Sequence, residues 1–176
     1  GFEVDGASYF AIANEGDARD YDAWSEEARV KNIRLDPEIF PDAEELQKDE
    51  NLGRLKTTTA MGDDDRDGDH ERIFSYGGRS FSILDRDGAI LYDSGSILEE
   101  KLAEILPEDF NSDNDENESF DSRSDDKGPE PEAIAVAAIG DKSILFLGLE
   151  RVGGIAAFDV SDPLAPSWMG YFTTRD

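Results

Sequence analysis

Five acidic residues at alternate positions, Asp63, Asp65, Asp67, Asp69 and Glu71, surround Gly68 in one short stretch. Carboxylates at the first, third and fifth places of a loop, a glycine at the sixth and a carbonyl donor at the seventh make the first half of an EF-hand-type calcium loop. Such spacing lets hard oxygen donors wrap a cation in a single turn of chain. The match stops at the twelfth place, where a bidentate Glu is expected and Phe74 stands. Glu71, water or another loop must then complete the shell. The same Asp/Gly run also suits a solvated turn between strands.

A second concentration of acids lies at 107–132, where eleven carboxylates face Arg123 and Lys127. Asp125 and Asp126 are its candidate metal ligands, but the stretch has no fixed ligand spacing, and a solvated charge run explains it equally well. Composition alone predicts disorder here, and bound cations would order it. Glu15, Asp17 and Arg19 follow one strand-like segment, and Glu150 with Arg151 follows another at a corresponding place. Corresponding positions of a repeat often line one surface, although Glu15 and Glu150 equally suit holding neighbouring loops together. Arg19 and Arg151 lie among acids, where a guanidinium either pairs with carboxylates or grips a phosphate. His70 is the only histidine and there is no cysteine. A multi-histidine or thiolate zinc site and a cysteine nucleophile are therefore excluded, and the place of His70 inside the Asp-rich loop predicts a spectator. Gly77-Gly78 and Gly153-Gly154 read as close-approach or bulge positions between strands, not as a phosphate loop.

These residues sit on a duplicated pattern. Residues 2–13 read as two strands around the Asp5-Gly6 turn, followed much later by 79–84 and 88–93 around Asp87-Gly88. The second copy is compact, with strands near 135–139, 143–149, 153–160 and 168–172. The stretches 54–60 and 71–76 are also β-prone. Ser25–Arg29, capped by Ser25, and the segment 37–47, capped by Asp36, are expected to form short helical turns. Residues 97–106 predict an amphipathic helix burying Leu98, Leu102 and Ile105. Four short strands per unit describe a propeller blade, which cannot bury both faces of its sheet alone. The reading is a mainly β chain, a β-propeller fragment of about two four-stranded antiparallel blades. Blade one spans 1–95 with a partly helical insertion at 16–70, a long acidic loop spans 107–132, and blade two spans 133–172. The whole of 1–176 is then one segment of a larger propeller, whose remaining blades are its first partners.

The 176 residues carry 43 acidic and 17 basic side chains, a formal charge of -26. That charge repels a phosphate backbone unless metal ions intervene, so no nucleic acid partner is expected. Calcium or a saline setting would explain it. No apolar run reaches the roughly 18–20 residues of a membrane span, and a start at Gly1-Phe2-Glu3 suits a mature or excised fragment.

The segments Ala13–Arg19, Tyr76–Ile83, Phe120–Glu132 and Gly148–Gly154 together resemble the choice-of-anchor I family over nearly the whole chain. The resemblance implies a secreted or surface-anchored propeller whose members are often labelled alkaline phosphatase. If that label carries over, clustered calcium ions would do the work of the missing histidines. Glu15, Asp17, Asp125, Asp126, Glu130, Glu132 and Glu150 are then the candidate metal or base groups, with Arg19 or Arg151 on the phosphate. The expected role is an extracellular calcium-binding module for an unidentified surface ligand. The alternative is a calcium-dependent phosphomonoesterase acting on a phosphorylated small molecule.

Overall fold

The computed structural model describes residues 1–116 and 118–173. In chain order its elements are β1 (Phe2–Val4), β2 (Ala7–Ala13), β3 (Asp20–Tyr21), β4 (Trp24–Ser25), β5 (Glu27–Arg29), α1 (Ala43–Leu46) and β6 (Lys56–Thr58). They continue with β7 (Phe81–Asp85), β8 (Ile90–Asp93), α2 (Ile97–Ile105), β9 (Pro131–Ile139), β10 (Lys142–Leu149), β11 (Ile155–Asp159) and β12 (Ser167–Phe172). Residues 16–76 with 124–127 form one compact unit, and the remaining described residues form another. The architecture is mainly β, with four antiparallel sheets, none of which closes on itself.

The larger unit holds two four-stranded sheets, ordered β1-β2-β7-β8 and β9-β10-β11-β12, each a simple meander. Asp5 and Gly6 both have positive φ, which is what a two-residue hairpin turn matching the strand twist needs. Strand residues alternate between faces, and each sheet puts one apolar face into a shared core. Phe81 and Ile83 of the first sheet meet Leu145, Leu147 and Phe158 of the second, with the Phe81 and Phe158 ring centroids 4.7 Å apart. Helix α2 adds Leu98 and Leu102. Each such fully buried side chain contributes about 1.5–3 kcal/mol. On the opposite face of the first sheet, Asn14 Nδ2 donates to Ser82 Oγ at 2.8 Å, and Ser82 Oγ donates to Asp93 Oδ2 at 2.5 Å. These bonds tie three adjacent strand ends together.

The smaller unit departs from the sequence reading. Ser25–Arg29 is not a helical turn. Trp24–Ser25 pairs with Asp20–Tyr21, and Glu27–Arg29 pairs with Lys56–Thr58. The helical preference of Glu-Glu-Ala-Arg is modest, and tertiary pairing overrides it. Buried Glu26 anchors this arrangement. Its carboxylate accepts Arg19 Nη2 at 2.6 Å, the Arg19 backbone N–H at 2.8 Å and Thr58 Oγ1 at 3.1 Å. Residues 71–76 form no strand and belong to the inserted unit, so the insertion runs to Tyr76 rather than to residue 70. Of the segment 37–47 only Ala43–Leu46 is an α-helix, and Asp36 Oδ1 caps the preceding turn by accepting the Glu38 N–H.

Two further expectations change. Ile105 ends α2 exposed, so Leu98 and Leu102 alone carry its buried face. Within the acidic loop, Asn111 and Ser112 are buried. Its backbone is also fixed by Arg123 N–H to the Asn111 carbonyl and Gly128 N–H to the Arg123 carbonyl, both at 2.9 Å. The sheet after it begins at Pro131, two residues earlier than expected.

Gly77 has φ +67°, and a Cβ there would overlap the Glu15 carbonyl oxygen. Gly77→Ala should therefore destabilise the fold by about 3 kcal/mol, whereas Gly140→Ala, with open space around it, should cost only the left-handed penalty of about 1–2 kcal/mol. Urea midpoints of the two variants test the ordering. The hydrogen bonds from the Arg19 guanidinium and then from its backbone N–H hold the Glu26 carboxyl at about 2. A carboxyl depressed on folding stabilises above its unfolded pKa of about 4, and that contribution fades as pH falls through the folded value. The melting-temperature gap between wild type and Glu26→Gln should accordingly be full at pH 6 and close between about pH 4.5 and 2.

Candidate functional site

The two sheets deliver three glutamates to one place. Glu15 lies two residues past the end of β2, Glu150 directly follows β10, and Glu130 directly precedes β9. The Glu150 N–H donates to the Glu130 carbonyl at 2.8 Å, and the Gly78 N–H donates to the Asn14 carbonyl at 2.7 Å. Both segments are thus pinned next to their side chains. One carboxylate oxygen from each of Glu15, Glu130 and Glu150 lies within 4.8 Å of the others. Glu130 is fully buried and sits at φ +50°. Its Oε1 accepts Arg123 Nη2 at 2.6 Å and Arg151 Nε at 3.3 Å, while Arg151 Nη2 stands 3.4 Å from Glu150 Oε1. Burial pushes the Glu150 carboxyl above its ordinary range, and the negative charges of Glu130, Glu132 and Glu15 add to that against the opposing pull of Arg151.

The Asp-rich loop, in the smaller unit, brings together two overlapping sets of oxygen donors. Asp63, Asp65 and Glu71 form one, and Asp36, Asp69 and Glu71 form the other, each with carboxylate oxygens within 4.8 Å. Asp63 Oδ2 accepts the Gly68 N–H at 3.2 Å, and Asp65 Oδ1 accepts the Asp67 N–H at 3.2 Å. Glu71 Oε2 accepts the Asp64 N–H at 2.6 Å, which folds position nine of the loop back onto its start. Asp67 joins neither set. Its Oδ1 accepts the Asp69 N–H at 3.1 Å. Burial and then the charge of Asp67 raise the Asp69 carboxyl, although Arg34 Nη2 lies 3.1 Å away.

The other candidates are placed differently. Asp17 and Arg19 belong to the smaller unit, where Lys127 Nζ stands 3.6 Å from Asp17 and Arg19 is committed to Glu26. The Asp125 carboxylate accepts Arg54 Nε at 3.0 Å and forms an ion pair with Arg29 Nη1 at 3.0 Å, and Asp126 forms an ion pair with Lys56 Nζ at 3.1 Å. Among the described residues neither joins a three-carboxylate group. Glu132 is exposed on β9. His70 is buried rather than solvated. Its backbone N–H donates to the Arg34 carbonyl at 3.0 Å, its ring Nδ1 lies 3.2 Å from the same oxygen, and the residue bridges Leu35. Asp36 is the donor that sequence reasoning missed, since its capping signal hid a second role. The repeat pattern alone also did not single out Glu130, which lies outside the duplicated strands.

A family model for the choice-of-anchor I domain matches residues 1–163. Among curated proteins, Gigasin-3a of Magallana gigas is 46% identical over 118 residues, covering 64% of this chain and 41% of that protein. The mesenchyme-specific cell surface glycoprotein of Strongylocentrotus purpuratus is 29% identical over 107 residues, covering 51% of this chain and 13% of that protein. The chain therefore spans less than half the length of either relative. No solved structure gives a significant match. With the family model covering nearly the whole length, the chain belongs to the choice-of-anchor I family.

Proposed function

We propose that this chain is a calcium-holding segment of a β-propeller that works outside the cell or at its surface. One observation carries the reading: Glu15 and Glu150, from corresponding places in two repeats, meet on buried Glu130. Oxygen-only donor sets suit a hard cation such as calcium, and with no cysteine and a lone histidine held against Arg34 a soft-metal site is not available here. Calcium would offset the charge that crowds Glu150 and would tie loops from both sheets together. The net charge of -26 and the relative named as a cell surface glycoprotein support an extracellular or surface setting. No helix among the described residues is long and apolar enough to cross a membrane. The partner is a surface ligand met by the loop end of the sheets.

A second reading is favoured by Arg123 and Arg151, which flank the same three carboxylates. Guanidinium groups beside a carboxylate cluster suit a phosphomonoester, whose ester P–O bond breaks as water adds to phosphorus and the alcohol departs. Bound calcium would supply charge neutralisation and a more acidic water. Arg151 would orient the phosphate, and Glu15 or Glu150 would take the proton from water.

Chelator should lower the melting temperature by several degrees relative to calcium-loaded protein, consistent with about 3 kcal/mol of linked stability at 100-fold saturation. Glu130→Gln and Asp65→Asn should each remove part of that difference. Calorimetric curves that coincide with and without calcium would end the reading. For the second reading, hydrolysis of p-nitrophenyl phosphate should need calcium and fall at least about tenfold in Arg151→Ala, the loss expected for removing one charged contact to the reacting phosphate. Absence of turnover with calcium leaves the binding module.

A further inference from the structure

The buried faces of the two four-stranded sheets are not equivalent, and this says what must cover the faces left open. In the first sheet Ala13 pairs with Phe81, Ala11 with Ile83 and Tyr9 with Asp85. In the second, Gly148 pairs with Ile155, Phe146 with Ala157 and Ile144 with Asp159. Glu15 and Glu150 each stand two residues past the first of these pairs, and Asp85 and Asp159 close the third. The correspondence makes Phe81 equivalent to Ile155 and Ile83 to Ala157. A shift of two residues, to align the Gly-Gly pairs instead, leaves the faces unchanged because side chains alternate with period two.

Phe81 and Ile83 lie in the core, fully buried under the second sheet, yet their equivalent Ile155 is 46% exposed. Phe172, paired with Ile155 on the same face, is 67% exposed. Conversely, Leu145 and Phe158 are buried, whereas Phe10, the equivalent of Leu145, is 48% exposed. The front of the first sheet thus packs on the back of the second. A symmetric sandwich would bury equivalent faces and leave nothing to add. Front-to-back contact is heterologous, and it leaves one front and one back open until a ring closes.

We infer that the open front of the second sheet, around Phe146, Ile155, Ala157 and Phe172, is the seat of a third four-stranded sheet of the same repeat, supplied by the same polypeptide. This rests on the propeller reading and deepens it by naming the face and its occupant. The seat contains an apolar hollow of about 260 Å³ lined by these four residues with Gly170 and Tyr171. The incoming face would carry apolar residues in the places of Leu145, Leu147 and Phe158. Two observations favour a sheet of the same polypeptide over a second copy of the chain. The matched relatives extend well beyond the matched stretch, and the charge of -26 on each copy opposes self-association.

Residues 1–176 have no cysteine, so, with any cysteine elsewhere replaced by serine, single cysteines report on each face through maleimide labelling of the full-length polypeptide that carries these residues. Ile155→Cys and Phe172→Cys should react at least about tenfold more slowly than Asp141→Cys in a turn, as slowly as Leu147→Cys in the shared core. Rapid labelling at 155 and 172 with slow labelling at 147 would overturn the third sheet while leaving the packed pair intact. Rapid labelling at 147 would instead overturn the propeller reading beneath it. Protection at 155 that disappears on dilution would assign the face to a second copy and likewise overturn the inference. Hydroxyl-radical footprinting of the unsubstituted protein at Phe172 guards against misfolded variants, and oxidation there as fast as at an exposed turn would count against the seat.

Discussion

Burial of Phe81 and Ile83 beneath Leu145, Leu147 and Phe158 is the contact on which the larger unit depends. Neither meander has enough apolar surface to hold itself flat in water, and a lone small sheet is marginal at best. Pairing already sets the end of β10 beside the start of β9, and once the two sheets stack the end of β2 comes alongside them. Loops that are far apart in sequence then share one spot. Pairing of β9 with β10 sets Glu130 beside Glu150, and Glu15 joins them from the other sheet, so the cluster is built by tertiary structure and not by a motif in sequence.

That convergence costs electrostatic energy, and the protein meets part of the cost with Arg123 and Arg151. A fully buried carboxylate such as Glu130 needs charged donors at close range, and it has two guanidinium groups. The acidic loop from 107 to 132, apart from Asn117, which lies outside the described residues, is held by the same economy. Arg123 serves both its own backbone bonds and Glu130, which ties the loop to the buried carboxylate.

The smaller unit is organised differently. Its two short strand pairs carry little apolar surface, and buried polar bonds hold them: Glu26 to Arg19 and Thr58, and Tyr76 Oη to the Thr57 carbonyl at 3.2 Å. Asp125 and Asp126 act there as anchors for Arg29, Arg54 and Lys56. These acids, neighbours in sequence, meet basic residues distant in the chain that are folded against them.

Period-two alternation, the Asp5-Gly6 and Asp87-Gly88 turns and the apolar face of α2 are local signals, and residues 2–13, 79–93, 97–106 and 133–172 determined by themselves the two meanders and the helix between them. The Asp63–Glu71 spacing likewise marked a cation loop within a few residues of chain. What only the tertiary structure decided depends on contacts across long sequence separations. Glu27–Arg29 became a strand because Lys56–Thr58 lies beside it. Asp36 joined Asp69 because Leu35 bridges His70. Glu130 became buried because two arginines from different segments close over it. The choice of which face each sheet buries was also tertiary, since both faces carry apolar residues and only the packing partner distinguishes them.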